Sequence, residues 1–463
     1  MKKKLCLTMA ALLTASLVLG GCGKQESAST EGDVAVISLW TNNSHSKSVV
    51  TEEVNKWNET VGKEKGIKIE YVVKGDDYAN QLALADNADN LPDIFLQGTA
   101  KMAEEGKLVA LSDYPEAADF LAEYGDEYLK PTNIAFKDDK YYTVTKDTVT
   151  YGLVYNKDMF RAAGIVDENG EPTPPKTYEE MVEYAKRLTN PEKKEYGIIF
   201  PVKWSGWTTT DIVYPALVSG GRNSGYDRKT GTFDYKDIAP IMKAIMQIKH
   251  DGSCYPGGEM LDNDPARAQF SEGRIGMKFS GSYDVSVFIN QFPAKCDWGV
   301  APYPSEKADV RYMGPSIYSN GGYISKKAVE RVGFEKVFEV YKWFNSKELA
   351  RTRYLAGMDL PYKFELVADI ADQCEVNGWK EFAEISQQAH NVPANLPSKP
   401  EGFSGRPIQV LCSTEFWYEK SDIDTTLAEY TKACNEGIQP FLDENPDYDV
   451  NDYVDPEWDI SIK

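Results

Sequence analysis

The feature that most constrains the fold is an alternation of short apolar runs with longer segments whose apolar residues recur every three or four positions. Val34 to Trp40 has the makings of a buried strand and is followed by the polar loop Thr41-Asn42-Asn43-Ser44-His45. Val50, Val54, Trp57 and Val61 then recur at spacings of four, three and four, which is one face of a helix. Ile67 to Val73 reads as a second strand, Asp76 and Asp77 stand where they can cap the following helix, and Leu91 to Leu96 reads as a third strand. Strands alternating with helices imply parallel βαβ units.

The rhythm resumes after a hairpin signal, Lys137-Asp138-Asp139-Lys140. Tyr151 to Tyr155 is the next strand, and Thr177-Tyr178-Glu179-Glu180 is a capping box that opens a helix carrying Met181, Ala185 and Leu188. Ile198 to Phe200 reads as a strand, Ile238, Ile241, Ile245 and Ile248 as the stripe of a helix, and Ile275 to Phe279 and Trp298 to Ala301 as further strands. The carboxyl third is mainly helical in pattern. A chain of 463 residues built this way is expected to form at least two domains.

The amino terminus has the layout of a signal peptide. Lys2, Lys3 and Lys4 precede an apolar run from Leu5 to Leu19, shorter than the roughly 20 residues a membrane-crossing helix needs. The run ends in Leu19-Gly20-Gly21-Cys22, which resembles the lipobox of bacterial lipoproteins. That resemblance implies that Cys22 becomes the lipidated first residue, held at the membrane surface by acyl chains rather than spanning it. Residues 23 to 33, rich in small and polar types, read as a flexible tether. Removing the signal takes away three lysines and no acid, so the mature chain is more acidic than the −21 of the whole. Such a surface repels nucleic acid and anionic lipid.

Chemistry is sparse. The three histidines, His45, His250 and His390, are far apart, and none sits in an HExxH pattern. Gly221-Arg222-Asn223-Ser224-Gly225 and Gly402-Phe403-Ser404-Gly405 have the wrong spacing for a nucleophile elbow, and no glycine-rich phosphate loop follows a strand. Besides Cys22, the later cysteines Cys254, Cys296, Cys374, Cys412 and Cys434 are odd in number and lack metal-site spacing; they read as mostly buried thiols, with one disulfide open to them. The acidic end DENPDYDVNDYVDPEWD lacks the glycine and alternating acids of a calcium loop. The expectation is a binding protein with no catalytic residues, no metal and no cofactor. Paired carboxylates leave no sequence signal among 72 acids, which keeps a lipoprotein glycoside hydrolase as the rival reading.

Five segments, in order, carry a family resemblance. They are Leu91-Pro92-Asp93-Ile94; the run from Gly152 through Asn156 and Phe160 to Gly164; Pro174-Pro175-Lys176-Thr177-Tyr178-Glu179-Glu180; Phe270-Ser271-Glu272-Gly273-Arg274-Ile275-Gly276-Met277 leading into Gly281-Ser282-Tyr283; and Trp298-Gly299-Val300-Ala301-Pro302. With these, the chain resembles the family 1 extracellular solute-binding proteins of ABC importers, well over residues 34 to 345 and weakly beyond. The resemblance implies an α/β fold of the type II periplasmic-binding-protein kind, two lobes with a ligand cleft between them. By it, the chain crosses between lobes near Lys146, Pro315 and Leu360, giving an amino lobe of 34–146 plus 315–360 and a carboxyl lobe of 147–314 plus 361–463. It further implies a monomer on the outer side of the cell membrane that captures a sugar, an oligosaccharide above all, and hands it to ABC permease subunits.

A sugar presents apolar faces and a rim of hydroxyls, so its site needs aromatic platforms and short polar side chains. Trp204 and Trp207, in Lys203-Trp204-Ser205-Gly206-Trp207 just after a strand, are the first candidates, at least one of them as a platform. Tyr283 stands where many relatives have tryptophan, and Asp284 beside it can bind hydroxyls or cap the next helix, the cap being favoured. Asn42 and His45, Gln97, Asp147 in the first crossing, and Tyr318 and Asn320 in the second complete the set, with Trp417 the weakest because Glu415-Phe416-Trp417-Tyr418 could be core. Within the same fold, a peptide, polyamine or ferric-ion binder is the alternative. The one adjacent tyrosine pair, Tyr141-Tyr142, would point to opposite faces of a strand, which does not suit iron.

Overall fold

The computed structural model describes residues 34–458 apart from 130–139, 223, 308–316, 389–395, 399, 401, 404 and 447. The signal peptide, Cys22, the tether, Lys137 to Asp139 of the hairpin signal, His390 and the return at Pro315 lie outside the described residues.

Among the described residues the strands are β1 (Ala35–Thr41), β2 (Ile67–Val73), β3 (Ile94–Phe95), β4 (Thr145–Val149), β5 (Tyr151–Asn156), β6 (Tyr196–Ile198), a small hairpin of β7 (Tyr226–Asp227) and β8 (Thr232–Phe233), then β9 (Ile275–Gly281), β10 (Trp298–Ala301), β11 (Ile317–Asn320), β12 (Tyr323–Ile324) and β13 (Leu360–Pro361). The first sheet has the order β12-β3-β1-β2, with β1 parallel to both neighbours and β12 antiparallel at the edge. The helix Lys47–Trp57 supplies the crossover, burying Val50, Val54 and Trp57 as their spacing predicts. β3 is shorter than its apolar run, and Pro92, which cannot donate to a ladder, lies just before it. Asp77 caps the next helix with no side-chain bond; its carboxylate instead accepts from the side chains of Asn80 and Gln81.

The second sheet, β10-β5-β9-β6, departs from the all-parallel expectation. β5 runs antiparallel to β9 and β10, while β6 is parallel to β9. The reason is its entry: β5 follows β4 after a single residue, with no crossover helix to set its direction. Both faces of this sheet are covered. Leu153 and Met277 pack with Met181, Trp207 and Leu411 on one side, whereas Val154 packs with Phe270, Trp298, Trp379 and Phe382 on the other. The carboxyl-terminal helices Trp379–Gln388 and Ile423–Glu436 thus complete the second lobe, one on each face. A separate core, with Ile37, Leu39, Ile69, Phe95, Val337 and Tyr341, fills the first lobe.

Between them lies a third sheet, β11-β4-β13, antiparallel throughout. Residues of β4 and β11, and those just before β13, form the floor of the cleft. The capping box is present as read, Thr177 accepting from the Glu180 amide and Glu180 from the Thr177 amide. Cys254, Cys296, Cys374, Cys412 and Cys434 are free thiols, the last two buried.

Candidate functional site

A cavity of about 370 Å³ opens where the three sheets meet. From the first lobe come Asn42, Asn43 and His45 after β1, and Leu96 and Gln97 after β3. The floor is Lys146 to Val149 of β4 with Ser319 and Asn320 of β11 and Met358 and Asp359 before β13. Ser282 and Tyr283, after β9, form the wall from the second lobe. Loops at the carboxyl ends of β1, β3 and β9 therefore converge on one crevice, the place where ligands enter open α/β sheets. Gln97 is held at φ +60°, a left-handed conformation that a non-glycine residue adopts at a cost, and it faces this crevice.

The floor is braced by charge. Arg353, buried in the helix Lys347–Leu355, donates from two nitrogens to the two Asp147 oxygens at 2.7 and 2.6 Å and to Asp359 at 2.9 Å. His45 Nε2 meets the other Asp359 oxygen at 2.8 Å, and Lys146 Nζ donates to Asp147 at 3.1 Å. Burial disfavours the charged Asp359, yet His45 and Arg353 together hold its carboxyl well below the usual range. Burial, with repulsion from Arg353, brings Lys146 down to about 8 against the pull of Asp147 and Asp359. Tyr71 lies near this cluster, accepts from the Thr41 hydroxyl at 3.2 Å, and is pushed up to about 12, mainly by burial.

On the opposite wall, the Tyr283 ring stands 6.5 Å from the His45 ring of the first lobe. Arg267 lies over Tyr283 at 5.5 Å and donates to Asp284 at 2.5 Å, and Lys278 reaches Asp284 at 3.3 Å. Asp284, fully buried, neither lines the cavity nor caps a helix; it anchors these two cations behind the wall.

Of the sequence candidates, Asn42, His45, Gln97, Asp147, Tyr283 and Asn320 line the cavity. Tyr318 sits in β11 opposite Thr148. Trp204, Trp207 and Trp417 do not line it. Trp207 and Trp417 are core, their rings 5.5 Å apart at right angles with Phe200 beside both. The reason is that Gly206 begins a continuous helical stretch to Ser219, which turns Trp207 inward. Trp204 is half-buried over Gly206, where an added Cβ would meet the indole at 2.3 Å, so the glycine makes room for packing. Sequence reading missed Lys146, Thr148, Ser282, Met358 and Asp359, and Arg353 behind them. The crossings themselves were the available signal, since four of these residues lie in or beside β4 and β13; nothing in the helix pattern marked Arg353.

Among the described residues no cluster could hold a metal ion, and no helix is long and apolar enough to cross a membrane. Residues 43–350 match the family described as bacterial extracellular solute-binding protein. The maltotriose-binding protein of Pyrococcus abyssi is 24% identical over 382 residues, 78% of this chain and 74% of that protein. Among solved structures, the GacH receptor of Streptomyces glaucescens, studied unliganded and with acarbose, superposes with a TM-score of 0.66 at 17% identity, covering 88% of this chain and 98% of its own. Maltose-bound MalE3 of T. maritima gives 0.65 at 16% identity over 86% of this chain and 98% of its own. Lmo0181 of Listeria monocytogenes, solved with cycloalternan, gives 0.62 at 17% over 87% and 98%. At such identities these likenesses establish the fold, two α/β lobes around a cleft.

Proposed function

The chain belongs to the bacterial extracellular solute-binding protein family, and from that premise we propose that it is the lipid-anchored sugar receptor of an ABC importer. It captures an oligosaccharide between the lobes and delivers it to the permease subunits, as a monomer tethered outside the cell membrane by acyl chains on Cys22. The amino lobe is 34–146 with 315–360 and the carboxyl lobe 147–314 with 361–463, moving against each other on β4, β11 and β13.

The observation that carries this reading is the makeup of the crevice: amides of Asn42, Gln97 and Asn320 and hydroxyls of Thr148, Ser282 and Ser319 face one aromatic ring, Tyr283. Short polar groups can satisfy sugar hydroxyls while the ring takes an apolar sugar face. The sugars in the names of the relatives, from maltotriose to cycloalternan, point the same way.

The protein alters nothing it binds. The two carboxylates of the cavity, Asp147 and Asp359, are committed to Arg353, Lys146 and His45, which leaves neither free to act as a general acid or nucleophile. The test is to titrate the purified mature chain calorimetrically with neutral oligosaccharides and then chromatograph the bound sugar after overnight incubation. Saturable binding with the sugar recovered intact supports the reading. Cleavage products that vanish on mutating one carboxylate would establish the glycoside hydrolase instead.

A further inference from the structure

Every charged group lining the cavity is already matched by one of opposite sign within the protein. Asp147 takes two nitrogens of Arg353 and the Lys146 ammonium. Asp359 divides its oxygens between Arg353 and His45. Two full cations thus stand against two carboxylates, and the pairs are sequestered: the Lys146, Asp147 and Arg353 side chains are 4%, 6% and 2% exposed. Behind the opposite wall the balance repeats, with Arg267 held at 2.7 Å by Asp264 and at 2.5 Å by Asp284, and Lys278 sharing Asp284.

This arrangement selects against ions. Taking a charged solute out of water is costly unless a group of opposite charge replaces the water it loses. A carboxylate on the solute needs a cation not already engaged, and an ammonium needs an uncommitted carboxylate; the described lining residues offer neither. Hydroxyls are different, because they exchange hydrogen bonds with the amides of Asn42, Gln97 and Asn320 without disturbing the ion pairs. Longer-range electrostatics add to this for anions, since a chain of net charge −21 opposes their approach.

We infer that the cleft takes an uncharged saccharide and rejects uronic acids, amino sugars, polyamines and peptides. The inference rests on the sugar reading above and narrows it to a charge class.

The test is a binding panel on the purified mature chain, by thermal shift and then calorimetry, at low and high sodium chloride. It contains neutral oligomers of α-glucan, β-glucan, xylan and galactan, oligogalacturonides, chitosan oligomers, spermidine and a tripeptide. The expected result is that a neutral oligomer binds with an affinity indifferent to salt, and that the acidic and amino saccharides bind about a hundredfold more weakly or not at all. An oligogalacturonide or chitosan oligomer binding more tightly than every neutral oligomer overturns the inference and leaves the sugar reading standing. Binding confined to spermidine or the tripeptide, or no binding by any saccharide, overturns both.

Discussion

Tyr283 and Trp207 are both large rings of the second lobe, but only one of them meets the cavity. If Tyr283 is the platform, Tyr283→Ala should cost about 2 kcal/mol of binding or more, roughly thirtyfold, with the fold intact. Trp207→Ala should instead cost about 3 to 5 kcal/mol of folding stability and leave the affinity of the folded fraction unchanged. Calorimetry and thermal melts of the two variants separate these outcomes. The residue scale is also where sequence reading was least secure. Trp207 and Tyr283 both follow a strand and lie within two residues of a glycine, and one turn of helix decides which ring is buried; composition does not carry that information. Asp211, four residues beyond Trp207, makes a second prediction. Burial pushes its carboxyl up to about 7, although Lys278 on β9 and bonds from Thr210 and Tyr303 pull the other way while Asp284 adds to the rise. The native state therefore holds this proton more tightly than the unfolded chain, and folding stability falls as pH climbs from about 4 to about 7. Asp211→Asn should remove that fall, so its stability relative to wild type should be better at pH 8 than at pH 4 in urea melts. An equal difference at both pH values would contradict the assignment.

At the scale of elements, the first sheet was readable because its strands and helices keep strict periods. β2 spans the residues its apolar run marked, and the helix Ile238–His250 buries the isoleucine stripe that defined it. What periodicity could not reveal was direction: β5 has the apolar run of a strand covered on both faces, which is the same whether its neighbours are parallel or antiparallel. Strands β11 and β13 were harder still, the first being short and polar with Tyr318, Ser319 and Asn320, the second only Leu360 and Pro361. Arg353 ties β4 to the residue before β13 by bonding both Asp147 and Asp359. Arg353→Met should accordingly destabilise the protein by about 3 to 5 kcal/mol, because Asp147 and Asp359 would be left buried without the guanidinium that bridges them. Replacing Asp147 by leucine in the same chain should restore part of the loss. Chemical denaturation of the single and double variants tests this; a single variant as stable as wild type would show that the cluster does not brace the crossings.

For the molecule as a whole, the proposed receptor depends on an acyl anchor at Cys22 and on two lobes that close. Cys22→Ser, by removing the thiol that acylation needs, should move the protein from the membrane fraction into the medium or periplasm, as cell fractionation would register. Unchanged membrane association would contradict the lipoprotein reading. The lobes matter more, because the receptor proposed above works by enclosing its solute. His45 of one wall and Tyr283 of the other approach each other across the cleft, their rings 6.5 Å apart. A solute touching both walls favours the closed arrangement by its additional contacts, and at a hundredfold excess over Kd it should stabilise the fold by about 2.7 kcal/mol. The most direct measurement is small-angle X-ray scattering of the mature chain with and without a saturating neutral oligosaccharide. The account predicts a smaller radius of gyration in the bound sample, reversed by dialysis; a radius unchanged at saturation would contradict capture by lobe closure.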